Sequence, residues 1–127
     1  MPKECIINDK VRINYNDDLI FRYTFLPKSE IDLETAKEMV GIGDEWGKDL
    51  EKSCNMIDTR SMTFIGSEVR KYFASQTRSR LQAVAIVINS RFQGGLANLY
   101  MKFSKPVTPT KIFDDTAQAE RWLKSFL

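Results

Sequence analysis

The sequence predicts one α/β domain: a mixed, mostly parallel sheet with an antiparallel N-terminal hairpin and about four helices. Three observations predict it. The first 26 residues break into short runs rich in β-branched and aromatic residues, separated by Asn/Asp turn signals. From residue 19 onward, strand-like and helix-like segments alternate, the order that right-handed crossovers turn into a parallel sheet. Ala83-Val84-Ala85-Ile86-Val87-Ile88 holds no polar residue in six positions, as a central strand covered on both faces does.

Each element follows from local chemistry. Glu4 to Asn8, Lys10 to Tyr15 and Leu19 to Leu26 are the three opening strands, with turns at Asn8-Asp9 and Asn16-Asp17-Asp18. In the third, Leu19, Phe21, Tyr23 and Phe25 make one apolar face, and Ile20, Arg22 and Thr24 a mixed one. Asp32 is a suitable N-cap for a helix from Leu33, with Glu34 in its first turn. Gly41 and Gly43 weaken that helix and predict a break or kink near Gly41, before Trp46. A strand at Ser53 to Asp58 leads through the polar loop 59–63 into a helix from about Phe64 to Ser79. After the strand at 83–88, Phe92, Leu96, Leu99, Tyr100 and Phe103 share one face of a helix over Phe92 to Phe103, stopped by Pro106 and Pro109. Lys111 to Phe113 is a short strand. Asp114 or Asp115 caps a final helix with Ala119, Trp122, Leu123 and Phe126 as its apolar stripe.

Composition narrows the function classes. The 127 residues suffice for one domain, 1–127, with its own core. The absence of histidine removes His-based triads, His-containing zinc sites and His general bases together. Cys5 and Cys54 form no C-x-x-C pair and lie in apolar stretches, so both are expected to be small buried hydrophobes. No run of apolar residues approaches membrane-spanning length, and Met-Pro-Lys-Glu-Cys does not resemble a signal peptide, so a soluble, cytoplasmic protein is expected. The net charge of +2 conceals a split. Residues 1–59 carry 8 basic and 13 acidic side chains, whereas residues 60–105 carry 8 basic ones and a single acid, Glu68. Such asymmetry points to an anionic partner.

Three stretches carry a family resemblance. They are Asn55-Met56-Ile57-Asp58-Thr59-Arg60-Ser61-Met62-Thr63-Phe64-Ile65-Gly66-Ser67-Glu68, the strand 83–88 with its following helix, and Pro109-Thr110-Lys111-Ile112-Phe113-Asp114 leading to Ala119-Glu120-Arg121-Trp122-Leu123. They resemble the STAS domains of anti-sigma-factor antagonists and the wider SpoIIAA-like fold, which also holds a CRAL-TRIO-like lipid-binding subgroup. The resemblance implies a regulatory, non-catalytic domain. In the regulatory STAS motif a helix-start serine is phosphorylated. Phe64, Ile65 and Ser67 match that motif, Gly66 stands for its Asp and Val69 for its Gly, and Glu68 occupies the phosphoacceptor position. A carboxylate there is a fixed charge in place of a switchable one, or simply a first-turn acid favoured by the helix dipole.

Several constellations are candidates, each beside a plainer alternative. Asp58, Arg60 and Ser67 could form a small polar site near a helix N-terminus; local loop capping explains the same residues. Arg70 and Lys71, with Arg78, Arg80, Arg91, Lys102 and Lys105, could form an electropositive surface, or a solvated helix face. The acidic first helix could pair with that surface on a second copy. Gly94-Gly95 lacks the context of a phosphate loop. Phe92, Tyr100, Phe103, Trp122 and Phe126 could line a lipid pocket, and equally are core residues at helical spacing. Trp46, beside two glycines, is a candidate exposed contact. The sequence therefore predicts a STAS-like regulatory or protein-interaction domain, with a small lipophilic or anionic ligand-binding module as the alternative. An enzyme using Asp58 and Arg60 as acid/base and anion clamp is the least favoured reading. A protein partner or homodimer is expected. No cofactor, metal, nucleic acid or stable membrane insertion is expected.

Overall fold

The computed structural model describes residues 2–61, 64–89, 101 and 106–127. Its elements run β1 (Lys3–Ile7), β2 (Val11–Tyr15), β3 (Ile20–Phe25), β4 (Glu30–Ile31), α1 (Leu33–Gly47), β5 (Ser53–Asp58), β6 (Phe64–Ile65), α2 (Ser67–Ser75), β7 (Leu81–Val87), β8 (Thr110–Phe113) and α3 (Thr116–Lys124). Six strands form one sheet in the order β1-β2-β3-β5-β7-β8, and β4 pairs with β6 in a separate two-stranded ribbon. β1, β2 and β3 are antiparallel neighbours; β3-β5, β5-β7 and β7-β8 are parallel.

The hairpin turns where the sequence predicts. Asn8 and Asp9 take φ of 51° and 55°, and the Lys10 N–H donates to the Ile7 carbonyl at 2.8 Å. Positive φ at both central residues matches the twist of antiparallel strands, and Asn and Asp tolerate it.

From β3 the chain steps repeatedly in one direction across the sheet. Right-handed crossovers in one direction place their helices on one face. α1 and α2 accordingly share a face with Phe21, Tyr23 and Phe25, in a core that includes Ala36, Met39 and Val69. α3 returns beneath the other face and covers Ile20, Cys54, Met56, Ala83, Ala85 and Val87 with Ala119 and Leu123. Burial of each large apolar side chain in these layers contributes roughly 1.5–3 kcal/mol.

The Asp32 cap forms as expected, its Oδ1 accepting the Thr35 N–H at 2.9 Å. The expected break near Gly41 does not occur: α1 is continuous to Gly47. Gly43 and Gly47 permit close packing rather than bending, because a Cβ on Gly43 would collide with the Tyr23 hydroxyl and one on Gly47 with Arg80. The expected helix from Phe64 starts later. Phe64 and Ile65 pair with Glu30 and Ile31, Gly66 is the cap residue, and the helix ends at Ser75. A two-residue strand has no periodicity for the sequence to display. Three helices stand among the described residues; the expected helix over 92–103 lies outside them except at residue 101, and Gly94-Gly95, Arg91, Lys102 and Lys105 lie outside them too.

Candidate functional site

Alternation along the central strands builds a cavity between the sheet and the α1/α2 layer. β5 directs Ser53, Asn55 and Ile57 to this side, and β7 directs Val84 and Ile86, followed by Ile88. Asn55 lies opposite Val84 and Ile57 opposite Ile86 in register. Met39 and Val40 of α1, and Phe73 and Ala74 of α2, complete walls around a cavity of about 150 Å³. The two faces of β7 differ sharply. Ala83, Ala85 and Val87 are 0% exposed against α3, whereas Val84, Ile86 and Ile88 remain only half-buried. A central strand predicted to be covered on both sides thus leaves a row of apolar side chains facing a cavity.

Charged groups stand at both ends. Where β7 begins, the Asp44 carboxylate accepts from Arg78 Nε at 2.7 Å, Arg78 Nη2 at 2.9 Å and Arg80 Nη2 at 2.8 Å. The Arg78 hydrogen bonds, against burial, hold the Asp44 carboxyl below its ordinary range. Arg80 Nη2 also donates to the Gly43 carbonyl, and Arg80 Nε is buried without a hydrogen-bond partner among the described residues. The Tyr23 hydroxyl lies close by, against Gly43; burial pushes its phenol pKa upward, so it remains a donor at neutral pH. At the other end, Arg70 of α2 donates from Nη1 to the Ile65 carbonyl at 2.9 Å. No carboxylate pairs with Arg70 among the described residues. Among the described residues, three guanidiniums therefore line the cavity against one carboxylate.

The candidate residues from the sequence divide between the two faces and the surface. Arg70 lines the cavity. Asp58, with the opposite parity on β5, faces the α3 side, in a second pocket with Arg22, Thr24 and Glu120. It forms a local pair with Arg60, accepting from Nε at 3.0 Å and Nη2 at 2.8 Å. Asp58 also accepts from the Arg60 backbone N–H at 3.1 Å, as a loop cap does. Ser67, Glu68 and Lys71 are exposed on α2, and no hydrogen bond joins Ser67 to the Asp58–Arg60 pair among the described residues. Trp46 is not the free contact the sequence suggested. It is half-buried against the α1-side core, with Lys3 Nζ 5.9 Å from its ring centroid. Tyr23, Asn55, Val84, Ile86 and Ile88 were not among the candidates. Their signal was Ser53 and Asn55 on a central strand, and the alternation of Ala with larger residues along β7.

Strand order also bears on Asp58. Open α/β sheets form a ligand crevice where the strand order reverses. From β3 through β5 and β7 to β8 the order never reverses, so the pocket beside Asp58 does not lie at such a switch point. Other chemistry is equally limited. No group of three or more His, Cys, Asp or Glu suited to a metal stands among the described residues. Burial pushes the Cys54 thiol up to about 11, which keeps it protonated beneath α3. No helix among the described residues is long and apolar enough to cross a membrane.

This mixed sheet, with α1 and α2 on one face and α3 on the other, is a SpoIIAA-like fold. A protein of the DUF3478 family with that fold, from Shewanella loihica PV-4, matches with a TM-score of 0.63 and 14% identity, covering 97% of this chain and 95% of its own. The chain itself belongs to the family described as domain of unknown function DUF7793, whose model matches residues 13–127. No curated protein matches it.

Proposed function

We propose that this chain is a non-catalytic SpoIIAA-like domain that binds a small, largely apolar ligand in the cavity under α1 and α2. One observation carries this reading: the row Val84, Ile86 and Ile88, apolar and half-buried on a central strand, faces a cavity of about 150 Å³. Apolar cavities of that size take molecules such as benzene. The resemblance to the lipid-binding CRAL-TRIO-like subgroup supports it, and the absence of histidine supports a non-catalytic role. Both cysteines are free, which suits the cytoplasmic location that belongs to this proposal.

Exposure of Ser67, Glu68 and Lys71 along the start of α2 favours a second reading, a STAS-type interaction surface. One experiment separates the two. Native mass spectrometry of freshly purified protein, followed by titration with indole, is expected to show one bound small molecule in the wild type and none in Ile86→Trp, with the fold retained by circular dichroism. Indole binding that is absent, or unchanged by Ile86→Trp, sets the cavity reading aside. A clean apo mass with a co-purifying chain supports the interaction surface instead.

A further inference from the structure

We propose that the ligand is a small lipophilic carboxylate, its acid group paired with Arg70 and its apolar body lying on Val84, Ile86 and Ile88. This rests on the cavity being the binding site. The charge inventory of its walls points to an anion. Arg78 and Arg80 share the Asp44 carboxylate, and that shared pair anchors α1 to the start of β7. Arg70 is different. Among the described residues its guanidinium makes one hydrogen bond, to the Ile65 carbonyl at 2.9 Å, and faces no acid. The Arg70 guanidinium is half-buried beside an apolar cavity, and its other N–H groups are open to an incoming acceptor.

The geometry of the group selects among anions. The planar guanidinium fork matches a carboxylate through two parallel hydrogen bonds. The other two guanidiniums that line these walls among the described residues already donate to Asp44, so Arg70 offers the open fork, and a carboxylate fills a single fork. The cavity volume of about 150 Å³ limits the apolar body to one ring or a short branched chain.

The test uses three probes on the full chain by titration calorimetry at pH 7: 3-phenylpropanoate, its neutral amide, and indole. The wild type is expected to prefer the carboxylate to the amide by on the order of tenfold, the gain from one charge-assisted pair. Arg70→Gln is expected to abolish that preference while indole, which has no acid group, still binds, and Arg70→Lys to restore part of it. Equal affinity for acid and amide in the wild type, with indole still bound, overturns the carboxylate assignment and leaves the cavity reading standing. A preference that survives in Arg70→Gln also overturns it, by assigning the anion to another group. If none of the three probes binds, the cavity reading fails and the carboxylate assignment fails with it.

Discussion

Gly43 shows how much one side chain can decide. α1 carries glycine at 41, 43 and 47, and only two of these make room for a neighbour. A Cβ at Gly47 would stand 2.6 Å from Arg80 Nε, one at Gly43 would meet the Tyr23 hydroxyl, and one at Gly41 would meet nothing within 4 Å. Helix propensity alone favours alanine over glycine by up to about 1 kcal/mol. Gly41→Ala is therefore expected to stabilise by roughly that amount. Gly43→Ala is expected to destabilise by about 1–3 kcal/mol, because the buried Tyr23 ring must shift. In a Tyr23→Phe background the collision is gone, and Gly43→Ala becomes neutral or stabilising. Urea denaturation of the four-member cycle measures the coupling; additive effects of the two substitutions would show that Tyr23 does not set the requirement.

At the scale of elements, Asp44 fastens the last turns of α1 to the residues that lead into β7. Arg78 and Arg80 reach it from 34 and 36 residues away, so the attachment exists only in the folded chain. The folded carboxyl sits below its ordinary value of 3.8. Its contribution to stability is therefore fully present above about pH 4 and is lost as the pH falls through the lower folded value. Asp44→Asn is expected to cost about 1 kcal/mol at pH 7, near the upper end for partly exposed pairs, and progressively less below pH 4. Urea midpoints of both proteins at pH 7, 5 and 3 check this; a gap between them that does not narrow at pH 3 contradicts it. β7 shows the same dependence on context in its packing. Small residues let α3 approach one face, while the larger ones on the other face border the cavity; the alternation is in the sequence, but which face α3 covers is not.

Across the whole molecule, the sheet separates two cores that share a backbone but few side chains. Leu123 belongs to the α3 core and is 0% exposed. Leu123→Ala is expected to lower unfolding stability by about 2–5 kcal/mol while leaving indole affinity at the opposite face within about twofold, because distant sites act nearly independently. Calorimetric titration alongside denaturation checks it, and a parallel loss of binding would mean that the two faces are coupled. The charge split also takes on a different meaning at this scale. The acidic N-terminal half and the basic middle segment meet within one chain at Asp44, Arg78 and Arg80, so part of the asymmetry is internal complementarity rather than a surface for a second copy.

The sequence by itself determined the six strands of the main sheet, the Asn8-Asp9 turn, the Asp32 cap, the parallel order after residue 19 and the absence of histidine chemistry. These are local: turn residues, caps and period-2 alternation act over a few positions. Of the candidate site, Arg70 was legible as a charge and nothing more. Only the tertiary structure decided that Asp58 and Arg70 belong to opposite faces, that α1 runs straight through its glycines, that Phe64 and Ile65 join Glu30 and Ile31, and that one face of β7 lies beside a cavity. Each depends on contacts between residues distant in sequence, and such contacts exist only once the crossovers have placed α1 and α2 on one side of the sheet and α3 on the other.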